Sequence, residues 1–338
     1  MRILMLAGGD SDEREVSLNS GRAVYEALTK LGHTVIAVDP ASGRSLTASN
    51  GTYLIGTGES PSKIQADQTS GEGVRQILSH ESEPKSEVVF LTLHGGAGEN
   101  GSLQCLLDMA GMKYTGSGML ASAIAMDKEK SKRLFESVGV ATPKWVLYRS
   151  WEWERGNIAE DIVSRLPLPV IIKPNDSGSS VGMSLVRTDS EISPAIELCF
   201  KASPNMLVEE YVAGRELTVA VLDDRAFPIV EITPKQGLYD YKSKYTKGQS
   251  DYTCPAKLDS VLARAIQDSA RKAYDVVGAR GLARIDFMLG HDNRFFCLEV
   301  NTLPGMTNLS LAPMAASADG FSFESLVEAM IQSAVKER

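Results

Sequence analysis

The stretch 284–307 constrains the fold of this chain more than any other, because its pattern predicts a β-hairpin with one polar face. Two alternating runs, 283–289 and 295–301, flank the turn-forming residues 291–294. If those four residues form the loop, Gly290 faces Phe295 and the pairing of the strands follows. The expected pairs are Arg284/Asn301, Asp286/Glu299 and Met288/Cys297 on one face, and Ile285/Val300, Phe287/Leu298 and Leu289/Phe296 on the other. One face then joins a core, and the other is polar.

The polar face of this hairpin predicts a site for a divalent cation. Directly opposed side chains have Cβ atoms about 4.5–5.5 Å apart, so Asp286 and Glu299 repel unless a positive charge lies between them. Mg²⁺ prefers such oxygen ligands, and Asn301 adds a third oxygen on the same face. The alternative is a solvated face on which Arg284 partly neutralises the two acids. The tail 301–307 favours the metal, because it runs into a Pro-Gly turn that can present backbone N–H groups beside the site.

Length and composition narrow the class of protein. A chain of 338 residues is long for a single core, so we expect two or three domains. A net charge of -8 argues against a general nucleic-acid surface, since such surfaces are basic. The 4 cysteines are widely spaced without a CxxC pair, which indicates neither a zinc site nor a disulfide framework. The apolar start is too short for a signal peptide or a membrane span, so we expect a cytoplasmic protein.

The first third of the chain predicts a parallel sheet. Strands over 2–7 and 33–38 flank a helix that ends at Gly32, which is a βαβ unit. Glu13, at the strand-to-helix turn, either offsets the helix dipole or holds a ligand ammonium at the open end of the sheet. A strand over 88–93 ends in His94 and a glycine-rich run, where His94 is either structural or part of a ligand site.

Two lysine-containing stretches follow. The helix predicted over 126–138 carries Lys128, Lys130 and Lys132, and such a charge run is typical of a solvated face. The strand predicted over 169–173 delivers Lys173 to a Ser/Gly loop over 174–183. Small residues expose backbone N–H groups, so this loop has the composition of a phosphate cradle, although it lacks the Walker A pattern.

The last part of the chain alternates strands with long polar segments. Strands over 206–212 and 217–222 flank a turn over 213–216, and the carboxylates there either hold a ribose or face water. The segment 236–251 has several aromatic residues and lysines without a clean period, which indicates a loop, and such a loop could be an active-site lid. Helices are expected over 261–277 and 323–335, and 41–87 is expected to be a surface excursion.

Seven of these stretches together resemble the D-alanine:D-alanine ligases of the ATP-grasp superfamily, in the order of that family. They are GGDSDEREVSLNSG (8–21), LHGGAGENGSLQ (93–104), YTGSGMLASAIAMDKEKSK (114–132), KPNDSGSSVGM (173–183), EEYVAGRELTVAVL (209–222), YDYKSKY (239–245) and the hairpin. Ser177, Asn100 and Cys105 depart from the common pattern, but none of them is a metal ligand or a phosphate lysine.

The resemblance implies a fold that combines α/β and α+β parts. A parallel-sheet domain over 1–124, of the pre-ATP-grasp type, would hold the first D-alanine. Two ATP-grasp domains, 125–207 and 208–338, would clamp ATP, and the second would also carry the Mg²⁺ and second-substrate sites.

The resemblance also assigns roles to individual residues by motif match. Lys128 and Lys173 would bind the α and β phosphates, and Ser179, Ser180 and Lys244 would close over the γ phosphate. Glu209 and Glu216 would take the adenine hinge and the ribose, with Met183, Tyr211, Val212 and Leu298 completing the nucleotide site. Asp286, Glu299 and Asn301 would bind two Mg²⁺, which Mn²⁺ could replace. Glu13 would bind the ammonium of the first D-alanine, with His94 and Glu99 nearby, and Ser310 and Leu311 would receive the second.

The implied reaction transfers the γ-phosphoryl group to the carboxylate of the first D-alanine, and the amine of the second then attacks the acyl phosphate. Arg284 and the Gly305 N–H would form the oxyanion hole. Tyr245, Ser179 and Glu13 would organise proton removal from the attacking amine. The product would serve peptidoglycan synthesis, and the family implies a homodimer. The alternatives are a related ligase that takes D-serine or D-lactate second, and a nucleotide-binding regulator that has lost turnover.

Overall fold

The computed structural model describes residues 1–54, 85–153, 156, 158–178, 181–235, 249–307 and 310–336. These residues form three sheets with helices packed on them, which confirms a mixed α/β and α+β architecture. The helices are α1 (Arg14–Lys30), α2 (Gly96–Glu99), α3 (Ser102–Met109), α4 (Met119–Met126), α5 (Lys128–Ser137), α6 (Ser150–Trp153), α7 (Ile158–Arg165), α8 (Asp189–Ala202), α9 (Ser260–Val276), α10 (Leu311–Ala318) and α11 (Phe323–Val335). Within the described ranges, we find no helix with the length and apolar character needed to cross a membrane.

The first sheet confirms the predicted βαβ unit. Its strands are β1 (Arg2–Leu6), β2 (Thr34–Asp39), β3 (Arg44–Ser45) and β4 (Val88–Leu91), in the order β3-β2-β1-β4. β1 pairs in parallel with β2 and β4, and all four residues of β4 are buried. Helix α1 ends where predicted, because Gly32 adopts a φ of 84° that terminates it. Of the excursion over 41–87, residues 55–84 lie outside the described part of the chain.

The second, central sheet is antiparallel and lies in the middle of the chain. Its strands are β5 (Trp145–Arg149), β6 (Val170–Pro174), β7 (Ser184–Val186) and β8 (Asn205–Glu210), in the order β5-β8-β6-β7. Alternating buried residues on β6 pack against α8 and place Lys173 near the open end of the strand.

The third sheet contains the hairpin. Its strands are β9 (Gly214–Leu222), β10 (Arg225–Ala226), β11 (Val230–Pro234), β12 (Ser250–Thr253), β13 (Leu282–Gly290) and β14 (Phe295–Asn301), in the order β12-β11-β9-β13-β14 with β10 beside β9. The predicted turn over 213–216 is wrong in most of its length. β9 begins at Gly214 because it pairs with the whole of β13, from Leu222/Leu282 to Gly214/Gly290.

The hairpin register is confirmed at its functional end and wrong at its tip. Arg284/Asn301, Ile285/Val300 and Asp286/Glu299 pair as expected. Towards the tip the observed pairs are Phe287/Cys297, Met288/Phe296 and Leu289/Phe295, so each predicted pair there is off by one residue.

Two local features explain this hairpin register. The loop has three residues instead of four, because Gly290 N–H donates to Arg294 O at 2.8 Å and Asn293 adopts a left-handed φ of 61°. A β-bulge then places Leu298 as an extra residue between the pairs Asp286/Glu299 and Phe287/Cys297. It restores the predicted register from Asp286/Glu299 onward. The bulge turns Leu298 towards a cavity and leaves Cys297 in the core.

The hydrophobic cores show which parts of the chain pack as one body. One core joins strands of the first sheet to β9, β11, α10 and α11, so the beginning and end of the chain share it. A second core joins Phe135 of α5 to α9, β9, β13 and β14. The central sheet and its helices have their own core, built from residues between Tyr148 and Val208.

The predicted domain division can be compared with these elements, although it remains a prediction. The boundary at 124/125 falls inside α4, and the boundary at 207/208 falls inside β8. The three sheets themselves follow one another along the chain.

A close backbone contact joins the first part of the chain to the third sheet, and it generates a stability prediction. Gly281 has a φ of 61°, and a Cβ built there would lie 3.1 Å from both Cα and N of Gly116. Gly278 has a φ of 73°, but a Cβ there would meet nothing within 4 Å. We expect Gly278→Ala to cost about 1–2 kcal/mol through the left-handed backbone alone. Gly281→Ala should cost about 1–3 kcal/mol more through the steric clash.

Urea unfolding of the two variants and the unmodified protein measures both costs. Equal losses of stability in the two variants would show that the backbone contact between Gly281 and Gly116 is unimportant.

Candidate active site

A cavity of about 420 Å³ lies between the central sheet and the third sheet. All the predicted nucleotide residues that the structure describes line it. They are Lys128, Lys173, Met183, Glu209, Tyr211, Val212, Glu216 and Leu298. Two of the predicted metal ligands, Asp286 and Glu299, line the same cavity. Sequence motifs far apart in the chain therefore meet at one place.

The opposed carboxylates of the hairpin are surrounded by donors. Arg284 donates from Nε to Asp286 Oδ1 at 2.9 Å and from Nη2 to Oδ2 at 2.8 Å, which makes a bidentate salt bridge. Thr218 on β9 also donates to Asp286 Oδ1, at 2.6 Å. The predicted partial neutralisation by Arg284 is thus present, beside the oxygen atoms that were predicted to be metal ligands.

Asn301, the third predicted metal ligand, ends the hairpin and begins the Pro-Gly turn. Its Oδ1 accepts from the N–H of Leu303 at 3.0 Å. This contact fixes the direction in which the chain leaves β14. Since Asn301 pairs with Arg284, it lies on the same face as Asp286 and Glu299.

Lys128 reaches across the cavity from the first turn of α5. Its Nζ donates to the backbone carbonyl of Ser177 at 2.8 Å and lies 3.4 Å from Glu299 Oε2. Helix α5 begins at Lys128, with Asp127 as its N-cap, and not at 126 as predicted. The contact to the Ser/Gly loop uses the backbone of Ser177, so the departure from the family pattern at this side chain does not remove it.

Glu209, at the end of β8, is held by two ammonium groups. Lys132 Nζ lies 3.1 Å and Lys173 Nζ 3.0 Å from the same oxygen, Glu209 Oε1. Burial raises the pKa of the Glu209 carboxyl, but the two lysines outweigh it and hold the pKa below its usual value. Glu209 therefore stays ionised inside the protein.

The predicted substrate side lies at the carboxyl end of the first sheet. Glu13, at the start of α1, is buried, and a Cβ built on Gly95 or Gly178 would lie 2.9 Å or 3.1 Å from its Oε2. Two glycines, in loops that follow strands of different sheets, thus make room for this carboxylate. His94 is buried, its Nε2 lies 3.3 Å from Ser20 Oγ, and burial lowers its pKa.

Glu99 lies on the short helix α2, close to Glu13. The N–H of Gly95 donates to its Oε2 at 2.9 Å. Burial, and then the charge of Glu13, raise the pKa of Glu99 to about 7. A carboxyl with that pKa changes charge near neutral pH.

The turn after the hairpin brings Gly305 next to Ser310. A Cβ built on Gly305 would lie 2.9 Å from Ser310 Oγ, and this hydroxyl also accepts from the N–H of Thr307 at 3.0 Å. Leu311 begins α10, with its side chain in the core shared by the first and third sheets. Its predicted contact with the second substrate stays a prediction.

Four predicted site residues lie outside the described part of the chain, so their roles remain predictions. They are Ser179, Ser180, Lys244 and Tyr245. The segment predicted to be a lid spans 236–251, and its residues 236–248 also lie outside the described part of the chain.

The residue that sequence reasoning missed is Lys132. The charge run on α5 predicted a solvated face, yet the side chain of Lys132 is 0% exposed while that of Lys130 is 56% exposed. The spacing held a signal, because Lys128 and Lys132 are four residues apart and therefore share a helix face, whereas Lys130 does not.

Comparisons with known proteins cover nearly the whole chain. A family model described as "D-ala D-ala ligase N-terminus" matches residues 2–117, and one described as "D-ala D-ala ligase C-terminus" matches 134–332. A D-alanine–D-alanine ligase of Syntrophotalea carbinolica is 42% identical over 98% of this chain and 96% of its own length. One from Gloeobacter violaceus is 41% identical over 98% of each chain.

Solved structures are similar along their full lengths. A D-alanine–D-alanine ligase from Bacillus anthracis, complexed with ATP, has a TM-score of 0.79 at 25% identity, over 99% of this chain and 97% of that one. The VanG D-Ala:D-Ser ligase from Enterococcus faecalis has a TM-score of 0.78 at 28% identity, over 99% of both chains.

The raised pKa of Glu99 gives a pH prediction. The folded protein holds this proton more tightly than the unfolded chain, so unfolding releases it between about pH 4.5 and pH 7. This group's contribution therefore lowers the free energy of unfolding as pH rises through that window. A neutral Gln cannot titrate, so Glu99→Gln should gain about 2–3 kcal/mol relative to the unmodified protein between pH 5 and pH 8.

Urea unfolding at pH 5, 6, 7 and 8 measures this difference. Glu15→Gln, which makes the same change at an exposed position on α1, is the matched control. A difference between the Glu99 variant and the unmodified protein that stays constant across these four pH values would contradict the prediction.

Proposed function

Because the chain belongs to the D-alanine–D-alanine ligase family, we propose that it joins two D-alanine molecules to D-alanyl-D-alanine while ATP is converted to ADP and phosphate. The observation that carries the proposal is the cavity between the central and third sheets. This cavity of about 420 Å³ is lined by two lysines, a carboxylate cluster and the nucleotide motifs of the family.

ATP binding is assigned to this cavity. Lys128 and Lys173 would neutralise phosphate oxygens, and Glu209 and Glu216 would hold the adenine and ribose, with Met183, Tyr211, Val212 and Leu298 around them. The proposal extends to Ser179, Ser180 and Lys244, which would enclose the γ phosphate. Phosphoryl transfer depends mainly on positioning and charge neutralisation, and fixed lysines serve both.

The hairpin face fits Mg²⁺. Asp286, Glu299 and Asn301 are oxygen donors on neighbouring positions of one sheet face, and the carboxylates already draw Arg284 and Lys128 towards them. These three residues would hold the two ions, and Mn²⁺ would substitute. The ions would supply charge neutralisation at the transferring phosphoryl group.

D-Alanine activation is assigned to the carboxyl end of the first sheet, where Gly178 of the cavity wall lies next to Glu13. Glu13 would bind the ammonium of the first D-alanine, with His94 and Glu99 beside it, and Ser310 and Leu311 would receive the second. After the carboxylate of the first D-alanine accepts the γ-phosphoryl group, the amine of the second attacks the acyl carbon and phosphate leaves. Arg284 and the N–H of Gly305 would stabilise the oxyanion of the tetrahedral adduct. Tyr245, Ser179 and Glu13 would guide the proton away from the attacking amine.

The wider setting is also proposed from the family. We propose a cytoplasmic homodimer that supplies a peptidoglycan precursor, with a first domain over 1–124 and ATP-grasp domains over 125–207 and 208–338. A second substrate other than D-alanine is not favoured, since the curated relatives cited above are named for D-alanine on both sides. The regulator without turnover is not favoured either, since the lysines and carboxylates of the site are all present.

Phosphate release from ATP tests the proposed function directly. We expect release that depends on Mg²⁺ and D-alanine, accompanied by the dipeptide, and no release with L-alanine alone. Chelation of divalent ions should abolish it, and Mn²⁺ should restore it. Turnover only when D-serine or D-lactate is added would show that this compound, and not D-alanine, is the second substrate. No turnover with any of them would overturn the proposal.

Asp286→Asn should lower kcat on the order of 10²-fold or more, because it removes a metal-ligand charge at the transferring phosphoryl group. Asp292→Asn makes the same change at the exposed tip of the same hairpin and should leave kcat within about twofold. Melting temperatures of both variants separate catalysis from stability, since Asp286 also accepts from Thr218 and Arg284. Equal kcat values for the two variants would refute the assignment of Asp286 to the metal site.

A further inference from the structure

We propose that Lys132 is a positioning residue of the nucleotide site, whose ammonium group balances Glu209 and thereby leaves the charge of Lys173 to the nucleotide phosphates. The inference rests on the proposed function, because it takes the cavity as the ATP site. It concerns a residue that does not line the cavity itself.

The surroundings of Lys132 are polar, fixed and closed to solvent. Its Nζ lies 3.1 Å from Glu209 Oε1 and donates to Thr142 Oγ1 at 2.6 Å. Thr142 in turn donates to the backbone carbonyl of Cys297 on β14 at 2.7 Å. The ring of Trp145 lies 5.6 Å from Nζ and covers the group from the side of the central sheet. A buried lysine with this many partners is held in one position.

The arrangement of charges decides what this lysine does. Lys132 and Lys173 contact the same oxygen of one carboxylate, at 3.1 Å and 3.0 Å, so with both lysines protonated the cluster carries one net positive charge. If Lys132 were neutral, Glu209 would cancel Lys173 and the cluster would have no net charge. Electrostatic attraction of a phosphate depends on that net charge, especially inside a protein.

The exposures of the two lysines divide their roles. Lys173 is 12% exposed and lines the cavity, whereas Lys132 is 0% exposed and lies behind Glu209. Lys132 therefore does not contact a nucleotide and acts on it through the net charge of the cluster. The two lysines and burial act on the pKa of Glu209 in opposite directions, and the net lowering agrees with an ionised carboxylate.

The position of α5 explains why Lys132 can do this. Phe135 anchors the helix in the core of the third sheet, while Glu209 and Lys173 belong to the central sheet. Lys128, one turn earlier on the same face, contacts Ser177 and Glu299 on the two sides of the cavity. Helix α5 packs on the third sheet and thus places its ammonium groups against residues of the central sheet.

A series of variants with different net charge tests the proposal. The cluster formed by Lys132, Lys173 and Glu209 carries +1 in the unmodified protein, zero in Lys132→Met, +2 in Glu209→Gln and +1 in the double variant. Dissociation constants for ADP, with Mg²⁺ present, and for adenosine are measured by calorimetry or by NMR titration. The ratio of the adenosine constant to the ADP constant reports the part of binding that depends on phosphate charge. It does so whatever role Glu209 has towards adenine, since that role enters both constants.

We expect this ratio to fall about tenfold in Lys132→Met and to return to within about threefold of its original value in the double variant. Lys132→Arg should keep the ratio. Lys130→Met, the matched control on the exposed face of α5, should leave both dissociation constants unchanged. The proposal is overturned if Lys132→Met weakens adenosine and ADP equally, or if the double variant does not restore the ratio.

Removing one partner of a buried ion pair can prevent folding, so the test has a second arm. If Lys132→Met does not fold, the double variant is compared with the unmodified protein, since it leaves neither an unpaired buried carboxylate nor an unpaired buried ammonium group. Its ratio should stay within about threefold of the original value, because the cluster carries the same net charge in both proteins. A ratio about tenfold lower in the double variant would overturn the proposal. Failure of the unmodified protein to bind ADP would instead refute the proposed function itself.

Discussion

The repulsion between Asp286 and Glu299 is the constraint on which the site depends. The two carboxylates oppose each other across β13 and β14, where strand geometry allows them little room to separate. Three positive groups offset this repulsion. Arg284 lies on the same strand as Asp286, Lys128 comes from α5, and Mg²⁺, as proposed, would bind from solution. Each of these would also serve the proposed reaction, because the charge that relieves the carboxylates lies beside the cavity in which phosphate oxygens would bind.

Sequence reasoning found this face because two unpredicted features cancel. The loop is one residue shorter than expected, and the bulge at Leu298 adds one residue back on β14. The pairs from Asp286/Glu299 onward therefore match the expected register, whereas the pairs predicted for Met288, Cys297 and Leu298 are wrong. The tip could not be predicted, since a bulge depends on what the turned side chain contacts, and here Leu298 faces a cavity that other elements build.

The parallel first sheet, the lysine at the end of β6 and the carboxylate face were all predictable, because periodicity and strand ends are local properties of sequence. The burial of Lys132 was not, because a charge run alone predicts solvent. Its burial requires a carboxylate from β8 and a hydroxyl from the segment before β5, and both arrive through tertiary structure. Spacing along α5 separates Lys130 from the other two lysines but does not say which face is covered.

The division of the cores decides which parts of the site hold fixed positions relative to one another. Glu13 and the hairpin belong to elements whose cores meet on β9, so Glu13 and the proposed metal ligands share one framework. Lys173 and Glu209 belong to the central sheet, whose core residues all lie between Tyr148 and Val208. Polar contacts from α5 join the two: Lys128 donates to the backbone of Ser177, and Lys132 pairs with Glu209. Because such contacts depend on charge more than on packing, a bound polyanion between the two walls would change the forces that set their spacing.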